Sequence, residues 1–235
     1  MKLISVIFTA ALLSLAESGF SQSFVDLGFE SPTFVSTNGL LSGSIGLPQA
    51  FPGWSATVGG LPLSYALSNT VYLDTAGMSI INSNYNTFGV IPGGVLQGRY
   101  TAVLMSGTLT NTVTGVDASL SQTGLVPAGT RSLQFYALSA FDSFGTFTVT
   151  MDGQDLSLTA ISNALNYTIY GTDISAWAGQ TAQLSFNVLG HSPQGSSEYL
   201  YLDSIQFSIQ PVPEPSTFAL GALGALLLGL RRRQS

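Results

Sequence analysis

Short runs in which apolar and polar residues alternate fill the chain between residues 22 and 210. A period of two is typical of a β-strand that buries one face, and the glycine, proline, asparagine and aspartate residues between the runs favour turns. The runs follow one another too closely for crossover helices, which predicts an all-β fold, an antiparallel β-sandwich. The clearest one-sided apolar sets are Leu133, Phe135 and Ala137; Phe147, Val149 and Met151; and Ala182, Leu184, Phe186 and Val188.

Two positions interrupt the alternation in an informative way. Asp152-Gly153 predicts a tight hairpin turn after the run that ends at Met151, with a returning strand behind it. In the last strand the apolar residues change from even to odd positions at Asp203-Ser204, which predicts a β-bulge there. The apolar residues of this strand are Leu200, Leu202, Ile205, Phe207 and Ile209.

The region 40–98 is richer in glycine, proline and asparagine and predicts long loops and short edge strands.

Residues 1–21 have the three parts of a secretory signal peptide. Lys2 supplies a positive charge, residues 3–15 are mostly apolar, and small and polar residues follow. Cleavage is expected after Ser21, with Ser18 as the alternative site, and the competing interpretation is a buried N-terminal helix. The segment predicts export by the Sec machinery and removal by signal peptidase.

The other end of the chain carries a second apolar segment. Residues 218–230 form a run of 13 residues that three arginines follow. A helix of this length spans about 20 Å, against a bilayer core of roughly 30 Å. The positive-inside rule keeps Arg231, Arg232 and Arg233 in the cytoplasm, where their long side chains reach the interface. The segment 217–230 therefore predicts a short transmembrane helix that is a marginal anchor.

Pro213-Glu214-Pro215, the apolar segment and the terminal arginines follow one another in an order that resembles the PEP-CTERM sorting signal of Gram-negative bacteria. That signal is also catalogued as the ice-binding protein C-terminal domain, and the resemblance covers residues 211–235. It implies recognition near residues 213–215 by an exosortase, a membrane cysteine protease-transpeptidase. It further implies delivery to the cell surface or to an extracellular polysaccharide matrix. The alternative is a plain tail anchor that stays attached.

Charge is distributed unevenly along the chain. Between residues 22 and 212 there are two basic residues, Arg99 and Arg131, and ten acidic ones, which gives this part a net charge of −8. Such a surface repels phosphate groups, which excludes nucleic acid as a partner. The chain has no cysteine, so disulfides, thiolate metal sites and cysteine nucleophiles are excluded as well.

Residues that could carry catalysis are few. His191 is the one histidine, and the sequence has neither a nucleophile-elbow motif for a catalytic triad nor enough further ligands for zinc. Asp152 and Asp155 could form the acid pair of a glycoside hydrolase, but both flank the predicted hairpin turn, where aspartate is favoured. We therefore expect no catalytic residue and a protein that is not an enzyme.

A second resemblance spans most of the region 22–210. Gly28-Phe29-Glu30, Pro52-Gly53-Trp54 and the stretch 201–207 follow in an order that is similar to galactose-binding-like jelly rolls, the fold of many carbohydrate-binding modules. This resemblance implies a structural calcium ion held by Glu30 and Asp203, and no other cofactor is expected. Asp203 also lies in a mostly apolar strand, where a carboxylate needs a cation or several hydrogen bonds. The alternatives are an aspartate that caps the bulge or one on the surface.

Aromatic residues are the usual contacts of sugar rings. Trp54 and Trp177 are the two tryptophans. The favoured interpretation places Trp54 in the core and Trp177 against a loop, and the alternative exposes them to a ligand. The ligand-binding residues are therefore unknown from sequence. Four tyrosines of the looser region could form a further patch: Tyr65, Tyr72, Tyr85 and Tyr100.

Together these features predict a signal peptide at 1–21, a β-sandwich domain at 22–210 and a sorting signal at 211–235. The predicted protein is an exported, non-enzymatic component of the cell surface or the exopolysaccharide matrix, with weak carbohydrate binding. The alternative is an ice-binding or adhesive surface protein, for which Thr146, Thr148 and Thr150 supply a single row of hydroxyl groups. A secreted glycan hydrolase is the third hypothesis.

Overall fold

The computed structural model describes residues 22–33, 43–72, 75–85, 94–109, 115–140, 146–190 and 198–212. This part of the chain contains 14 strands, one short helix and one 3₁₀ turn. In chain order the elements are β1 (Gly43–Gly46), α1 (Leu47–Ala50), β2 (Ser55–Val58), β3 (Leu61–Pro62), β4 (Tyr65–Ser68), β5 (Gly77–Asn82), β6 (Tyr100–Met105), β7 (Ala118–Leu125), β8 (Ser132–Ala140), β9 (Phe147–Met151), β10 (Gln154–Asp155), β11 (Thr159–Asn163), β12 (Thr168–Asp173), η1 (Ser175–Trp177), β13 (Thr181–Val188) and β14 (Tyr199–Ser208).

The strands form two sheets that pack face to face. The larger sheet has the order β1-β4-β5-β6-β14-β8-β12-β11, and the smaller one has the order β10-β9-β13-β7-β2-β3. Neighbouring strands are antiparallel apart from β4 and β5, which run parallel. The predicted all-β, antiparallel sandwich is confirmed, with one parallel pair that the strand pattern did not predict.

The main core lies between the two sheets. The alternating sets predicted for β8 and β13 face it, since Leu133, Phe135, Leu184 and Phe186 are fully buried there. Trp54 is 5% exposed and packs against the ring of Phe186. The interpretation of this tryptophan as a core residue is confirmed.

The predicted hairpin and the predicted bulge are both present. Asp152 (φ 49°) and Gly153 (φ 75°) form the turn between β9 and β10, with Gln154 opposite Met151. Both turn residues have positive φ, as the tight hairpin turn that matches strand twist requires. In β14 the pairing with β8 shifts register between Asp203 and Gln206.

Two details differ from the sequence predictions. Ile209 lies beyond the end of β14 and is 68% exposed, so it does not join the apolar face of the last strand. The region 40–98 contributes β5 to the interior of the larger sheet, and every residue of β5 is buried. A strand covered on both faces shows no alternation, because Met78 and Ile80 face the main core while Ile81 faces a second apolar layer.

The second apolar layer covers the outer face of the larger sheet. It contains residues from β4, β5, β6 and β14, and six partly buried residues pack against it. This outer face is therefore aromatic and apolar. Its buried members are Leu67, Ile81, Tyr85, Leu96, Val103, Met105 and Tyr201.

The outer face of the smaller sheet has the opposite character. The register of β9, β13, β7 and β2 aligns two rows of four small polar side chains, which we call the hydroxyl face. The eight residues are all serine, threonine or asparagine, and none carries a charge. The rows are Thr148, Asn187, Ser119 and Thr57, and Thr150, Ser185, Ser121 and Ser55.

Both terminal segments predicted from sequence lie outside the described residues. This holds for the signal peptide at 1–21 and for the membrane segment at 217–230. Among the residues that are described, no helix has the length and apolar character needed to cross a bilayer.

Candidate functional site

Glu30 and Asp203 meet at a single loop, although they are far apart in the chain. The backbone N–H of Arg99 donates to Oε1 of Glu30 (2.7 Å), and the hydroxyl of Thr101 donates to Oδ2 of Asp203 (2.8 Å). We call this arrangement of Glu30, residues 97–101 and Asp203 the carboxylate junction. It ties the start of the domain to the bulge of its last strand.

Asp203 is buried at this junction, with 1% of its surface exposed. Oδ2 accepts from the backbone N–H of Gln97 (3.1 Å) and from Thr101, and Oδ1 accepts from the backbone N–H of Ser204 (2.6 Å). Burial raises the pKa of Asp203 to about 7; these hydrogen bonds oppose the rise, and the negative charge of Glu30 adds to it. The hydrogen bond from Ser204 agrees with the interpretation of Asp203 as a residue that caps the bulge.

Glu30 lies nearer the surface and is paired with Arg99. The Nε of Arg99 lies 3.3 Å from Oε2 of Glu30, and the arginine side chain is 74% exposed. Such an exposed pair contributes little to stability. A Cβ atom at Gly98, whose φ is +60°, would collide with Oε1 of Glu30, so this glycine allows the loop to approach the carboxylate. The sequence analysis did not identify Arg99 as the partner of Glu30.

Hydrogen-bond donors occupy the described positions around the two carboxylates. Calcium takes six to eight oxygen ligands whose lone pairs point at the ion. The partners described at the junction are N–H and O–H donors and a guanidinium, all of which present hydrogen atoms to the carboxylate oxygens. Within the described ranges, no group of three or more acidic or histidine side chains could hold a metal ion. Calcium binding by Glu30 and Asp203 stays a prediction from resemblance.

Trp177 lines a cleft of about 370 Å³ at the edge of the sandwich. The walls come from residues 155–157, 172–173 and 175–177, and we call this site the Trp177 cleft. Its volume is within the usual range for sites that take small molecules. Trp177 is half-buried and packs against the main core. One part of its side chain is therefore packed inside the protein, and another part is exposed to the cleft.

Local hydrogen bonds hold the tryptophan in place. Ile174 is fully buried and its carbonyl accepts the N–H of Trp177 (3.0 Å), which closes the 3₁₀ turn η1. Oδ1 of Asp173 accepts the N–H of Ser175 (2.8 Å) at the start of this turn. The sequence analysis missed Asp173; its signal is an aspartate placed two residues before a short turn, where its side chain caps a backbone N–H.

The cleft carries two carboxylates. The hydrogen bonds from Ser175, together with the positive charge of Arg131, hold the pKa of the exposed Asp173 below its usual value. Asp155, at the end of β10, is exposed and forms no ion pair with any of the described residues. The cleft is therefore acidic, with an aromatic wall.

Asp152 and Asp155, the predicted acid pair, occupy different environments. Asp152 lies in the hairpin turn, where its Oδ1 accepts the N–H of Gln183 (2.7 Å) on the neighbouring strand. Asp155 contributes to the wall of the Trp177 cleft. Asp152 is therefore a turn residue. The carboxylate that shares the cleft with Asp155 is Asp173.

Two of the four tyrosines that could form a patch, Tyr72 and Tyr85, lie at the second apolar layer, while Tyr65 is 47% exposed and is hydrogen-bonded to Tyr72. Burial and a hydrogen bond with Tyr65 raise the pKa of Tyr72, and burial and the neighbouring Tyr85 raise the pKa of Tyr201. Tyr100 instead packs against the main core. Rings at this face stack on one another, as Tyr136 and Tyr167 do at 4.5 Å between centroids.

Several residues named in the sequence analysis lie outside the described residues. They are His191, the sorting-motif residues Pro213, Glu214 and Pro215, and the cytoplasmic anchor residues Arg231, Arg232 and Arg233.

Comparison with known proteins gives matches of two kinds. TmCBM61 in complex with β-1,4-galactotriose is 12% identical, with a TM-score of 0.42 over 80% of this chain and 97% of that chain. A second solved structure, described as the basis for the promiscuous specificity of carbohydrate-binding modules of the β-sandwich superfamily, is 10% identical. Its TM-score is 0.40 over 80% of this chain and 63% of that chain. No curated protein matches. At the C-terminus the predicted sorting signal is confirmed, because residues 211–233 of this chain match the PEP-CTERM protein-sorting motif.

Proposed function

We propose that this chain is an exported, non-enzymatic protein of the cell surface or the exopolysaccharide matrix that binds carbohydrate in the Trp177 cleft. The PEP-CTERM motif at residues 211–233 supports sorting by an exosortase-type membrane protease. The Sec machinery and signal peptidase are the expected partners at the N-terminus. The cleft supplies the molecular function.

The observation that carries the proposal is the composition of the cleft. Trp177 provides an aromatic ring against which the apolar face of a sugar can pack, and Ser157 and Ser175 provide hydroxyl groups beside it. A wall that combines one aromatic ring with several short polar side chains matches the two kinds of surface of a sugar ring.

Binding is favoured over hydrolysis because of the state of Asp173. A glycoside hydrolase needs one carboxylic acid that stays protonated to donate to the leaving group. The pKa of Asp173 is lowered instead, so this residue remains a carboxylate and cannot be that acid. The acid would have to be Asp155, whose side chain is exposed rather than enclosed in an apolar pocket.

The test is retention of oligosaccharides by the purified full chain and by Trp177→Ala. We expect the native chain to bind at least one soluble bacterial exopolysaccharide or its oligosaccharides, and Trp177→Ala to bind about tenfold more weakly. Tyr65→Ala removes an aromatic ring that is 47% exposed elsewhere, and we expect it to bind normally. Equal binding by native chain and Trp177→Ala would exclude the cleft, and release of reducing sugar by the native chain would contradict the non-enzymatic role.

The hydroxyl face favours the second candidate function, ice binding or adhesion. Its two rows continue across four strands, spaced about 4.8 Å between strands and about 6.7 Å along each strand, so the single threonine row of β9 is extended by its neighbours. A regular, uncharged array of hydroxyl and amide groups can match a lattice of water molecules.

Thermal hysteresis measures this second function. If the hydroxyl face binds ice, the native chain lowers the freezing point below the melting point, and Ser121→Arg, which places a charge in the middle of the array, abolishes the effect. Leu165→Arg introduces the same charge at a side chain that is 92% exposed outside the array, and it should leave the effect unchanged. Absence of hysteresis in the native chain would reject ice binding.

A further inference from the structure

We propose that the carbohydrate taken by the Trp177 cleft is a cationic amino sugar, such as a glucosamine unit of a partly deacetylated polysaccharide. This inference rests on the proposed function and names the chemical class of its ligand. The feature that points to it is the pairing of two carboxylates with an aromatic ring in one cleft.

The two carboxylates reach the cleft from different sheets. Asp155 ends β10 at the edge of the smaller sheet, and Asp173 ends β12 in the larger sheet. The positive charge of Arg131 and the N–H of Ser175 partly balance Asp173. Asp155 has no ion-pair partner in the described part of the chain, so it is the carboxylate available to a ligand cation.

The remaining walls favour a sugar over a simple cation. Trp177, Leu156 and Ala176 contribute apolar side chains to the lining, and Ser157 and Ser175 contribute side chains that carry a hydroxyl group. An ammonium group held close to an indole ring gains a cation–π interaction in addition to the carboxylate contact. An amino sugar offers an apolar ring face, hydroxyl groups and an ammonium group together, whereas a lysine side chain offers no hydroxyl group.

The charge of the whole domain acts in the same direction. Residues 22–212 carry a net charge of −8, which attracts cationic polymers and repels polysaccharides that bear carboxylate, sulfate or phosphate groups. The cleft therefore lies on a molecule whose long-range field already selects for positive charge.

The experiment compares two oligosaccharides of equal length, β-1,4-linked glucosamine and β-1,4-linked N-acetylglucosamine. They share one backbone and differ in the charge that acetylation removes. Binding to the purified full chain is measured by calorimetry at mildly acidic pH, where the amino groups are protonated. We expect the glucosamine oligomer to bind about tenfold or more tightly, with a preference that shrinks as ionic strength rises from about 0.05 to 0.5 M.

A double variant, Asp155→Asn with Asp173→Asn, tests the residues. Both amides keep the size of the carboxylate, and an amide oxygen can still accept the N–H of Ser175, so the turn η1 is preserved. The double variant should lose the preference for glucosamine while keeping any binding of the neutral oligomer. Asp117→Asn is the control, since Asp117 is exposed and accepts the N–H of Gly190, away from the cleft.

The possible outcomes distinguish failure of the amino-sugar inference from failure of the proposed carbohydrate binding. If both oligomers bind equally and Trp177→Ala weakens both, the amino-sugar inference is wrong and carbohydrate binding stands. If no oligosaccharide of any kind binds, the proposed function fails and the inference fails with it. If a lysine-rich peptide of matched charge displaces glucosamine at the same concentration, the site selects charge alone and the inference is overturned.

Discussion

Replacing Phe135 with alanine lowers the free energy of unfolding by about 3–5 kcal/mol, the range for removing a large aromatic side chain from a closed core. Phe135 lies on β8 with no exposed surface. Its ring packs on Tyr170 of the same sheet (5.6 Å between centroids) and on Phe186 (5.1 Å) and Phe147 (6.4 Å) of the opposite sheet. One side chain therefore joins both layers of the sandwich.

Reversible unfolding in urea, followed by circular dichroism, measures this loss. For a domain of this size the melting temperature should also fall by about 10 °C. Leu165→Ala is the matched control, because Leu165 is 92% exposed and its removal takes nothing from the core. A loss below about 1 kcal/mol for Phe135→Ala would mean that the two sheets close over the gap and that this ring does not hold them together.

Asp203→Ala should lower the free energy of unfolding by about 3 kcal/mol at pH 5, because three donors lose their shared acceptor. The donors are the N–H groups of Gln97 and Ser204 and the hydroxyl of Thr101. Asp155→Ala is the control, since it removes an exposed aspartate. Unfolding in urea at fixed pH gives both values, and equal stability of the two variants would contradict a structural role of the carboxylate junction.

The same residue makes stability depend on pH. In the folded protein the pKa of Asp203 is raised to about 7 from its ordinary value of 3.8, by burial first and by the charge of Glu30 in addition. The folded state therefore binds the proton more tightly, so this contribution is full below pH 3.8 and is lost as pH rises through about 7. Asp26, whose pKa is also raised by burial, acts in the same direction, and Asp173, whose pKa is lowered, titrates below this window.

Between pH 5 and pH 8 the native chain should lose about 2–3 kcal/mol of stability through Asp203. Asp203→Ala should show a flatter profile, so the two chains approach each other in stability at pH 8. Arg99 and Glu30 face the same junction, with Nε of Arg99 3.3 Å from Oε2 of Glu30. If the free energy of unfolding changes by the same amount between pH 5 and pH 8 in the native chain and in Asp203→Ala, the assignment to Asp203 is wrong.

Thermal unfolding with EDTA or with calcium tests whether a metal ion stabilises the carboxylate junction. Since hydrogen-bond donors already surround Glu30 and Asp203, adding EDTA or calcium should leave the melting temperature unchanged. A rise with calcium that Glu30→Gln removes would instead establish the metal site that the resemblance implies.

The strands show where sequence was sufficient for the fold and where it was not. The faces of β8 and β13 follow from alternation, because each inward position is one that water cannot reach. The sequence pattern did not predict β5 as an interior strand, because β5 is covered on both faces and shows no alternation of apolar and polar residues. The parallel pairing of β4 with β5 depends on contacts across the sheet, for which the local pattern holds no information.

The sites divide in the same way. Glu30 and Asp203 were named from sequence through a resemblance, but their common loop, and Arg99 within it, depend on a chain reversal that joins residues 30, 97–101 and 203. Trp177 was a candidate from its residue type, while Asp173 became a site residue through the turn that follows β12. Asp155 joins them from the other sheet.

The sequence by itself determined the features that depend on neighbouring residues: the period of two, the Asp152-Gly153 turn, the bulge at Asp203 and the PEP-CTERM motif at 211–233. Each is set by local backbone preferences or by a contiguous run of residues. The tertiary structure alone decided the order of the strands, the two rows of the hydroxyl face, the carboxylate junction and the Trp177 cleft. These depend on strand register and on burial between distant segments, and such long-range pairing is set by the packing of the whole core.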